Sequence, residues 1–353
     1  MLVLQAAAPT RPTFWGIGPV GKAAFYYLAA VAIAVFLLGA YRRVASYAQG
    51  REDPLNALDD LPRRVVDAAA TILSNRTLRD GDLVAGVAHA FVLWGFLTLL
   101  IATTILGIDM DLYGPLTGDS FFVGDFYLSY SFVVDAMGLL FVVGLGVFLY
   151  RRYAARDGRL WGRHTSAEDD LFVWALFLLG VGGYLTEGVR ILGQNFPDFE
   201  TVSFVGYALA LLGQEAGISP ATAETIYAAV WWSHSLLALG FVALIPYAKP
   251  VHMLTSMANV VTRDEQAGKR LPGVPADLPP DEIGTGSVDD FTWRERLDQD
   301  ACTTCGRCSS VCPANEVGRN LDPRDVILDL KAYREERTAD TGDEIPIVAD
   351  GGE

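Results

Sequence analysis

Outside one stretch of eleven residues, this chain of 353 residues contains no cysteine. The stretch holds Cys302, Cys305, Cys308 and Cys312 in the spacing C-x2-C-x2-C-x3-C, and Pro313 follows directly. Disulfides explain this poorly, because such close neighbours would close small, strained loops. The spacing is instead typical of thiolates that hold an iron–sulfur cluster. A structural zinc site is the weaker alternative, because it usually shows two separated cysteine pairs.

The chain also lacks a second cysteine run. In a ferredoxin-type run, three cysteines bind one 4Fe-4S cluster and the fourth ligates the other cluster of a pair. Three interpretations stay open: a partner supplies the second run, all four cysteines bind one cluster, or the sequence is the front part of a longer protein. We favour the third, and expect the acidic tail 338–353 to be the start of a missing region.

Lysine is scarce: there are four lysines against 23 arginines, and 42 acidic residues bring the formal net charge to −15. An acidic chain of this kind is not expected to bind nucleic acid. The balance favours adaptation to high salt, where an acidic surface stays hydrated, over ordinary solubilising charge. Yet 51% of the residues are hydrophobic, which predicts that the apolar and acidic parts occupy separate regions.

Long apolar runs account for the hydrophobic part. A membrane-spanning helix needs about 20 apolar residues, and five runs reach that length. The first is followed by Arg42 and Arg43 and by further spans, which indicates a retained helix rather than a signal peptide. The predicted spans are 23–41, 83–107, 126–150, 170–192 and 225–248.

Basic residues are absent from two loops, 108–125 and 193–224, whereas 42–82 and 151–169 together contain twelve arginines. Because positive charge stays on the cytoplasmic side, we predict that the N-terminus lies outside and that residues 249–353 lie in the cytoplasm. The cysteines would then sit in a reducing compartment, which again disfavours disulfides.

These features predict an all-α membrane protein, a five-transmembrane-helix bundle followed by a cytoplasmic, mostly helical 4Fe-4S segment of ferredoxin type. The segment should include a short helix at 323–336, with Asp322 as its N-cap and Pro323 at its first position. The predicted domains are a membrane domain 1–252, a Pro- and Gly-rich linker 253–290, the 4Fe-4S segment 291–337 and the tail 338–353.

The chain has only four histidines, and His164 falls in a basic loop where a solvated side chain is expected. His89, His234 and His252 lie in or beside spans, where ionisable groups are costly and point to function. Eighteen residues separate His234 from His252, so both face one side of a helix, about 27 Å apart. The pattern suggests axial ligands of haem b; histidines hydrogen-bonded between helices are an equal alternative.

The sequences HAFVLWGFLTLL, from His89, and HSLLALGFVALIPYAKPVH, from His234 to His252, resemble the haem-binding helices of the nitrate reductase gamma-subunit family. That family includes the cytochrome b subunit of heterodisulfide reductases. Joined to CTTCGRCSSVCPA, the chain resembles a membrane-bound iron–sulfur oxidoreductase of the heterodisulfide reductase type over most of residues 20–337.

The resemblance implies five membrane helices and two b haems, with His89 and His252 ligating a haem on the cytoplasmic side. The family's second histidine on the helix of His89 falls at Leu99 here, which leaves His234 without its expected partner. The outer haem is then absent or otherwise ligated, or else His89 pairs with His234.

Buried polar residues in the outer half of the predicted membrane suggest a second site, made of Asp135, Glu187, Arg190 and His234. Glu187 and Arg190 share a helix face and are expected to form an ion pair. A structural polar cluster is the plain interpretation. The sharper one is a quinone pocket, in which carboxylate and imidazole relay protons. Lys249 is expected to extend to the cytoplasmic interface.

We therefore predict a membrane oxidoreductase, or part of one, that moves electrons between a cytoplasmic iron–sulfur cluster and the membrane quinone pool through haem b. The direction and the soluble redox partner stay open. No cysteine-rich catalytic domain is present in the sequence, so the chain by itself is not a disulfide reductase. The alternatives are a non-catalytic anchor that docks a soluble dehydrogenase or disulfide reductase, and a redox sensor, which would not need haem.

Overall fold

The structure is a computed structural model that describes residues 8–53, 58–267, 269, 273, 274, 276, 277, 279 and 284–339. Within these residues, the only β-pairing is an isolated bridge between Arg51 and Thr292. The α-helices in chain order are α1 Gly18–Ala48, α2 Leu61–Leu73, α3 Arg76–Gly81, α4 Leu83–Ile108, α5 Gly114–Thr117, α6 Gly124–Leu149, α7 Ala167–Gly193, α8 Phe204–Glu215, α9 Pro220–Leu244, α10 His252–Thr262, α11 Trp293–Asp300, α12 Arg307–Ser310, α13 Pro313–Glu316 and α14 Pro323–Ala339.

Five of these helices are long and apolar enough to cross a membrane, which confirms the predicted all-α, five-span architecture. Four spans are longer than predicted, because polar residues extend the helices beyond the apolar runs. α4 and α6 continue into π-helical turns at Asp109–Tyr113 and Tyr150–Ala154. The orientation across the membrane stays a prediction.

The fifth span ends at Leu244, and His252 begins the separate helix α10, so the prediction that His234 and His252 lie on one helix is wrong. Pro246 and Pro250 follow the end of the span and cannot donate the helical hydrogen bonds that would continue it.

The start of α4 shows why a span begins where it does. The Asp82 carboxylate accepts a hydrogen bond from the backbone N–H of Ala85, 3.0 Å away, and so caps the helix. The same carboxylate pairs with Arg151 at 2.8 Å. A capped start satisfies N–H groups that the helix itself cannot.

Two compact units can be distinguished among the described residues, one within 1–33, 75–154 and 173–242, the other within 34–74, 155–172 and 243–339. In the first unit α4 packs closely on α6. A Cβ on Gly95 would lie 2.6 Å from Phe141, and one on Gly144 would lie 2.6 Å from the carbonyl oxygen of Ala88. Small residues thus let these two membrane helices approach, as is usual inside membranes.

In the second unit α10 packs on both α2 and α11, and α11 packs on α14. α10 lies in the stretch 253–290 that we assigned to the linker, so the first part of that stretch is helical to Thr262. The sequence did not predict α10, because its apolar residues are too few for a span and no Gly or Pro marks its end. The predicted domain bounds stay a prediction.

The predicted helix after the cysteines is confirmed: α14 begins at Pro323. The Asp322 carboxylate accepts a hydrogen bond from the N–H of Arg324 at 2.9 Å, as an N-cap should. The helix runs to Ala339, three residues past its predicted end. The tail 340–353 lies outside the described residues.

Candidate redox sites

The cysteine loop is entered from α11, whose start is fixed by a capping box between Thr292 and Glu295. Two residues in the loop have left-handed backbone angles, Thr304 with φ 58° and Gly306 with φ 69°. These angles reverse the chain twice within a few residues. The loop therefore turns back on itself between Cys302 and Cys308.

Gly306 is needed for a second reason. A Cβ at this position would collide with the backbone carbonyl of Arg159, in the loop that precedes α7. Arg324 donates to the same carbonyl oxygen at 3.1 Å. The cysteine loop thus rests directly on the backbone of residues 158–160, with no space for a side chain between them.

Backbone amides point at two of the sulfurs. The N–H of Thr304 donates to Cys302, and the N–H of Arg307 donates to Cys305. Burial raises the pKa of the Cys302 thiol. Burial would also raise the pKa of Cys305, but the amide and guanidinium of Arg307 more than offset it and lower that pKa. Hydrogen bonds to sulfur of this kind tune iron–sulfur centres.

None of the four cysteines is in a disulfide, and Cys308 is exposed. The charges of Cys305 and Cys308 act on Cys302, so these thiols are neighbours. Across the described ranges, however, no three His, Cys, Asp or Glu side chains are gathered closely enough to hold a metal ion as they stand. The donor set and its amides fit an iron–sulfur cluster, and the side chains must rearrange to close around one.

A buried carboxylate lies directly before the cysteine loop. The Asp300 side chain is fully buried and contacts Arg334 at 2.7 Å, Arg43 at 3.2 Å and Lys331 at 3.4 Å. The Tyr47 hydroxyl donates to it at 2.6 Å. Burial alone would raise the pKa of Asp300, but the three cations hold it below its ordinary value. Asp300 thus joins the end of α1, the cysteine loop and α14.

Lys249 also reaches the cysteine loop. Its ammonium group pairs with Asp169 and donates to the hydroxyl of Thr304 at 2.9 Å. We expected it at the membrane interface, and the structure shows that its role includes holding the loop. A polar cavity of about 200 Å³ lies beside it and is bounded in part by Cys302 and Lys331.

His89 and His252 share one feature. Nδ1 of His89 lies 2.7 Å from Oδ1 of Asn75, and Nδ1 of His252 lies 2.9 Å from the carbonyl oxygen of Lys249. Both oxygens only accept, so Nδ1 carries the hydrogen in each ring and Nε2 is the basic nitrogen. Ligating histidines are usually oriented in this way. Burial also lowers the pKa of His252, which keeps the ring neutral.

His234 is different. Its Nδ1 is buried and has no hydrogen-bond partner in the structure. The ring lies against two glycines of α7, since a Cβ on Gly182 would be 3.2 Å from Nδ1 and one on Gly183 would be 3.6 Å from Cε1. Buried polar atoms are nearly always paired, so this ring has the character of a ligand-binding group.

The predicted polar site in the membrane helices is partly brought together. The Asp135 carboxylate accepts from the N–H groups of Val205 and Gly206, at 2.8 and 3.3 Å, and so caps α8. The Glu187 carboxyl group is adjacent to it. The Tyr184 hydroxyl donates to the carbonyl oxygen of Asp135. The Asp135 carboxylate is thus held by two backbone N–H groups, with a second carboxyl group beside it.

Arg190 has another main partner than the sequence suggests. It lies 3.8 Å from Glu187, at the edge of an ion pair, but makes two hydrogen bonds of 2.6 and 3.0 Å with Glu200. Tyr127 donates to the same carboxylate at 2.8 Å. Sequence reasoning missed Glu200 because it lies between spans, in a short 3-10 turn. It also missed Asn75, although its left-handed φ of 50° is a conformation that asparagine tolerates.

Comparison with known proteins addresses the cysteine region first. Residues 295–315 match the family model of the 4Fe-4S binding domain. This match supports the predicted 4Fe-4S cluster. No solved structure matches the chain.

Three curated proteins are similar over most of the chain. The EtfAB:quinone oxidoreductase of Syntrophomonas wolfei subsp. wolfei is 29% identical over 318 residues, covering 87% of this chain and 43% of that protein. The probable iron-sulfur-binding oxidoreductase FadF of Bacillus subtilis is 29% identical over a region that covers 73% of this chain and 35% of that protein. The probable membrane-anchored ferredoxin of Chromohalobacter salexigens is 25% identical over 85% of this chain and 40% of that protein.

The chain spans less than half the length of these relatives. With the five apolar helices, the similarities confirm the predicted resemblance to a membrane-bound iron–sulfur oxidoreductase. They indicate a multi-pass membrane protein in electron transfer. The haem b part of the resemblance stays a prediction.

Proposed function

We propose that this chain moves electrons between a cytoplasmic 4Fe-4S cluster and a membrane quinone through haem b. The observation that carries the proposal is the arrangement of His89 and His252, each fixed through Nδ1 by an oxygen acceptor. A 4Fe-4S domain on the same chain supports it, as does similarity to a protein named as a quinone oxidoreductase. When bound, the cluster and haem supply the one-electron chemistry.

In the cysteine loop, Cys302, Cys305, Cys308 and Cys312 hold the iron. The amides of Thr304 and Arg307 donate to the sulfurs and favour their thiolate form. Whether all four serve one cluster, or Cys312 serves a second, depends on a further cysteine run, which we assign to a partner or to a further region of the protein.

In the helices, Nε2 of His89 and of His252 are the nitrogens that bind haem iron. Asn75 and the Lys249 carbonyl keep the two rings oriented and their Nδ1 atoms protonated. His234, with an unpaired buried Nδ1, is left for a second haem or for quinone.

At the quinone end, we assign proton handling to Asp135 and Glu187. Adjacent carboxyl groups in an apolar surrounding are not both ionised at low cost, so the pair holds a proton that quinone chemistry releases or takes up. Arg190 is occupied by Glu200 and acts as a fixed charge beside the pair. His234 completes the proposed pocket.

A second candidate function is a membrane anchor that binds a soluble electron carrier and conducts its electrons without oxidising or reducing quinone. Similarity to a protein named as a membrane-anchored ferredoxin favours it. In both cases the partner is a soluble electron donor or acceptor.

The deciding experiment uses anaerobically purified full-length chain. Iron, sulfide and haem are quantified per chain, electron paramagnetic resonance and optical spectra are recorded, and quinol-dependent reduction of the cluster is followed. Four-iron signals, at least one haem and reduction by quinol support the proposal. A cluster and haem that neither quinol reduces nor quinone oxidises support the anchor. Zinc without haem would refute both.

A further inference from the structure

Helix α2 carries an apolar face that the described part of the chain leaves exposed. Its side chains Leu61, Val65, Val66 and Leu73 are 44%, 47%, 67% and 39% exposed. At 100° per residue they fall within a stripe about 140° wide. The stripe is wide enough for one side of the helix to lie in apolar surroundings.

The side of α2 that borders the stripe at Leu61 is fixed to the protein. Ala68 and Thr71 are buried, and α2 packs on α10. The guanidinium of Arg64 donates to the carbonyl oxygens of Val261 and Arg263, at 3.4 and 2.8 Å, and so caps the end of α10. The apolar stripe thus cannot turn inward without breaking this contact.

The position of α2 in the chain indicates what covers the stripe. The segment 49–82 begins where the span α1 ends and finishes where the span α4 begins. Consecutive spans place this segment at one membrane surface. A short helix with an apolar stripe, tethered at both ends to a bilayer, is typical of a helix that lies in the membrane interface.

We propose that α2 lies in the plane of the membrane interface, with Leu61, Val65, Val66 and Leu73 in contact with lipid. The consequence reaches the cysteine loop through α10 and α11. The amide of Asn259 donates to Asp298 at 2.6 Å, and the hydroxyl of Thr255 donates to the carbonyl oxygen of Asp300 at 3.1 Å. Lipid contact by α2 therefore sets the height of the cysteine loop above the membrane.

The test is photo-crosslinking of the full chain in phospholipid nanodiscs. Val66→p-benzoylphenylalanine places the probe in the stripe, and Asp67→p-benzoylphenylalanine places it on the polar side, with adducts identified by mass spectrometry. A lipid adduct at 66 and its loss at 67 are expected. A protein adduct at 66, no adduct there, or equal lipid adducts at both positions would overturn the proposal. Val65→p-benzoylphenylalanine replaces the variant at 66 if that variant does not assemble, because Val65 lies in the stripe and 160° away from Asp67 around the helix.

Hydrogen exchange gives an independent measurement. Val66→Glu places a charge in the stripe, and Asp67→Lys changes the charge on the exposed polar side. We expect faster exchange of the α2 amides in V66E nanodiscs than in the wild type, and no change in D67K. Equal exchange in the two variants would contradict lipid contact.

Discussion

Two buried acidic centres can be compared, one beside the cysteine loop and one among the membrane helices. The Asp300 carboxylate has three cations and a tyrosine hydroxyl within 3.4 Å. Asp135 is held by two backbone N–H groups and has a second carboxyl group, Glu187, next to it. The first centre has three cations around one carboxylate, whereas the second has two carboxyl groups beside one arginine, Arg190, whose main partner is Glu200.

The difference separates two uses of a buried acid. A carboxylate surrounded by cations stays ionised and holds elements together, and removing it leaves unpaired charge. Two adjacent buried carboxyl groups cannot both be ionised cheaply, so a proton can be held there and passed on. Burial alone would not distinguish Asp300 from Asp135, since both are almost fully buried.

The largest expected effect is loss of the cluster from the cysteine loop without loss of haem from the membrane helices. Cys305→Ala removes a proposed cluster ligand, so cluster iron and sulfide should fall to background while haem content stays unchanged. Iron and haem analysis with paramagnetic resonance measures this. Ser310→Ala, on an exposed neighbour, is the control and should keep the cluster. Full cluster content in C305A would contradict the ligand assignment.

Glu187→Gln should reveal the proton-handling role. The amide cannot exchange a proton, so quinol oxidation should slow by about a hundredfold, the size typical of general acid–base groups. Steady-state quinol assays measure it, with cluster and haem content as checks on assembly. Glu215→Gln, at the exposed end of α8, is the matched control. An E187Q rate near that of the wild type would assign the pair a structural role.

Asp300→Asn should act on stability rather than on quinone chemistry. Loss of the charge leaves Arg43, Lys331 and Arg334 without their shared partner, which costs about 3 kcal/mol by analogy with broken buried ion pairs. Denaturant midpoints for loss of cluster absorbance measure the change. Asp277→Asn, on an exposed residue, is the control. A slower quinol reaction with unchanged stability would contradict the structural role of Asp300.

Asn75→Ala tests how His89 is oriented. Without Oδ1 the ring loses its Nδ1 partner, and haem affinity should fall about tenfold, as for other partners of ligating histidines. Haem titration and the optical spectrum measure this. Asn195→Ala is a matched control, because Asn195 is exposed and has a similar left-handed φ of 59°. Equal effects of both variants would point to backbone strain instead.

The smallest effect is a pH dependence. Because the cations lower the pKa of Asp300 in the folded chain, its contribution is fully present above the ordinary carboxyl pKa of about 4 and is lost as the pH falls through the lowered value. The stability difference between wild type and D300N should therefore shrink below about pH 4. A difference that grows on acidification would contradict the charge compensation.

The fold was predictable where one local signal is sufficient. Five apolar runs gave the spans, and Asp322 followed by Pro323 gave the start of α14. α2 and α10 were missed because each is short and amphipathic, so that its apolar residues resemble a loop near a membrane. The extensions of α4 and α6 beyond the apolar runs depend on polar residues that hydropathy does not register.

The sites were predictable as residue types rather than as pairings. The sequence suggested that Asp135 and Glu187 belong to one site, and the structure brings them together. The roles of the cysteines, His89 and His252 stay predictions. Glu200 and Asn75 were missed because only the turns of the folded chain bring them into contact with Arg190 and His89. Arg190 is three residues from Glu187 and ten from Glu200, yet it binds Glu200 more closely.

The close approach of Gly306 to the Arg159 carbonyl has a consequence for biogenesis. Residues 155–166 join two spans and leave the ribosome well before the cysteines do. Since the cysteine loop rests on this backbone, we expect its mature shape to form only in chains whose α6 and α7 have already entered the membrane. Iron insertion would then follow membrane insertion, and in chains whose insertion stops at the third span the cysteine loop would lack the backbone of residues 158–160 on which it rests.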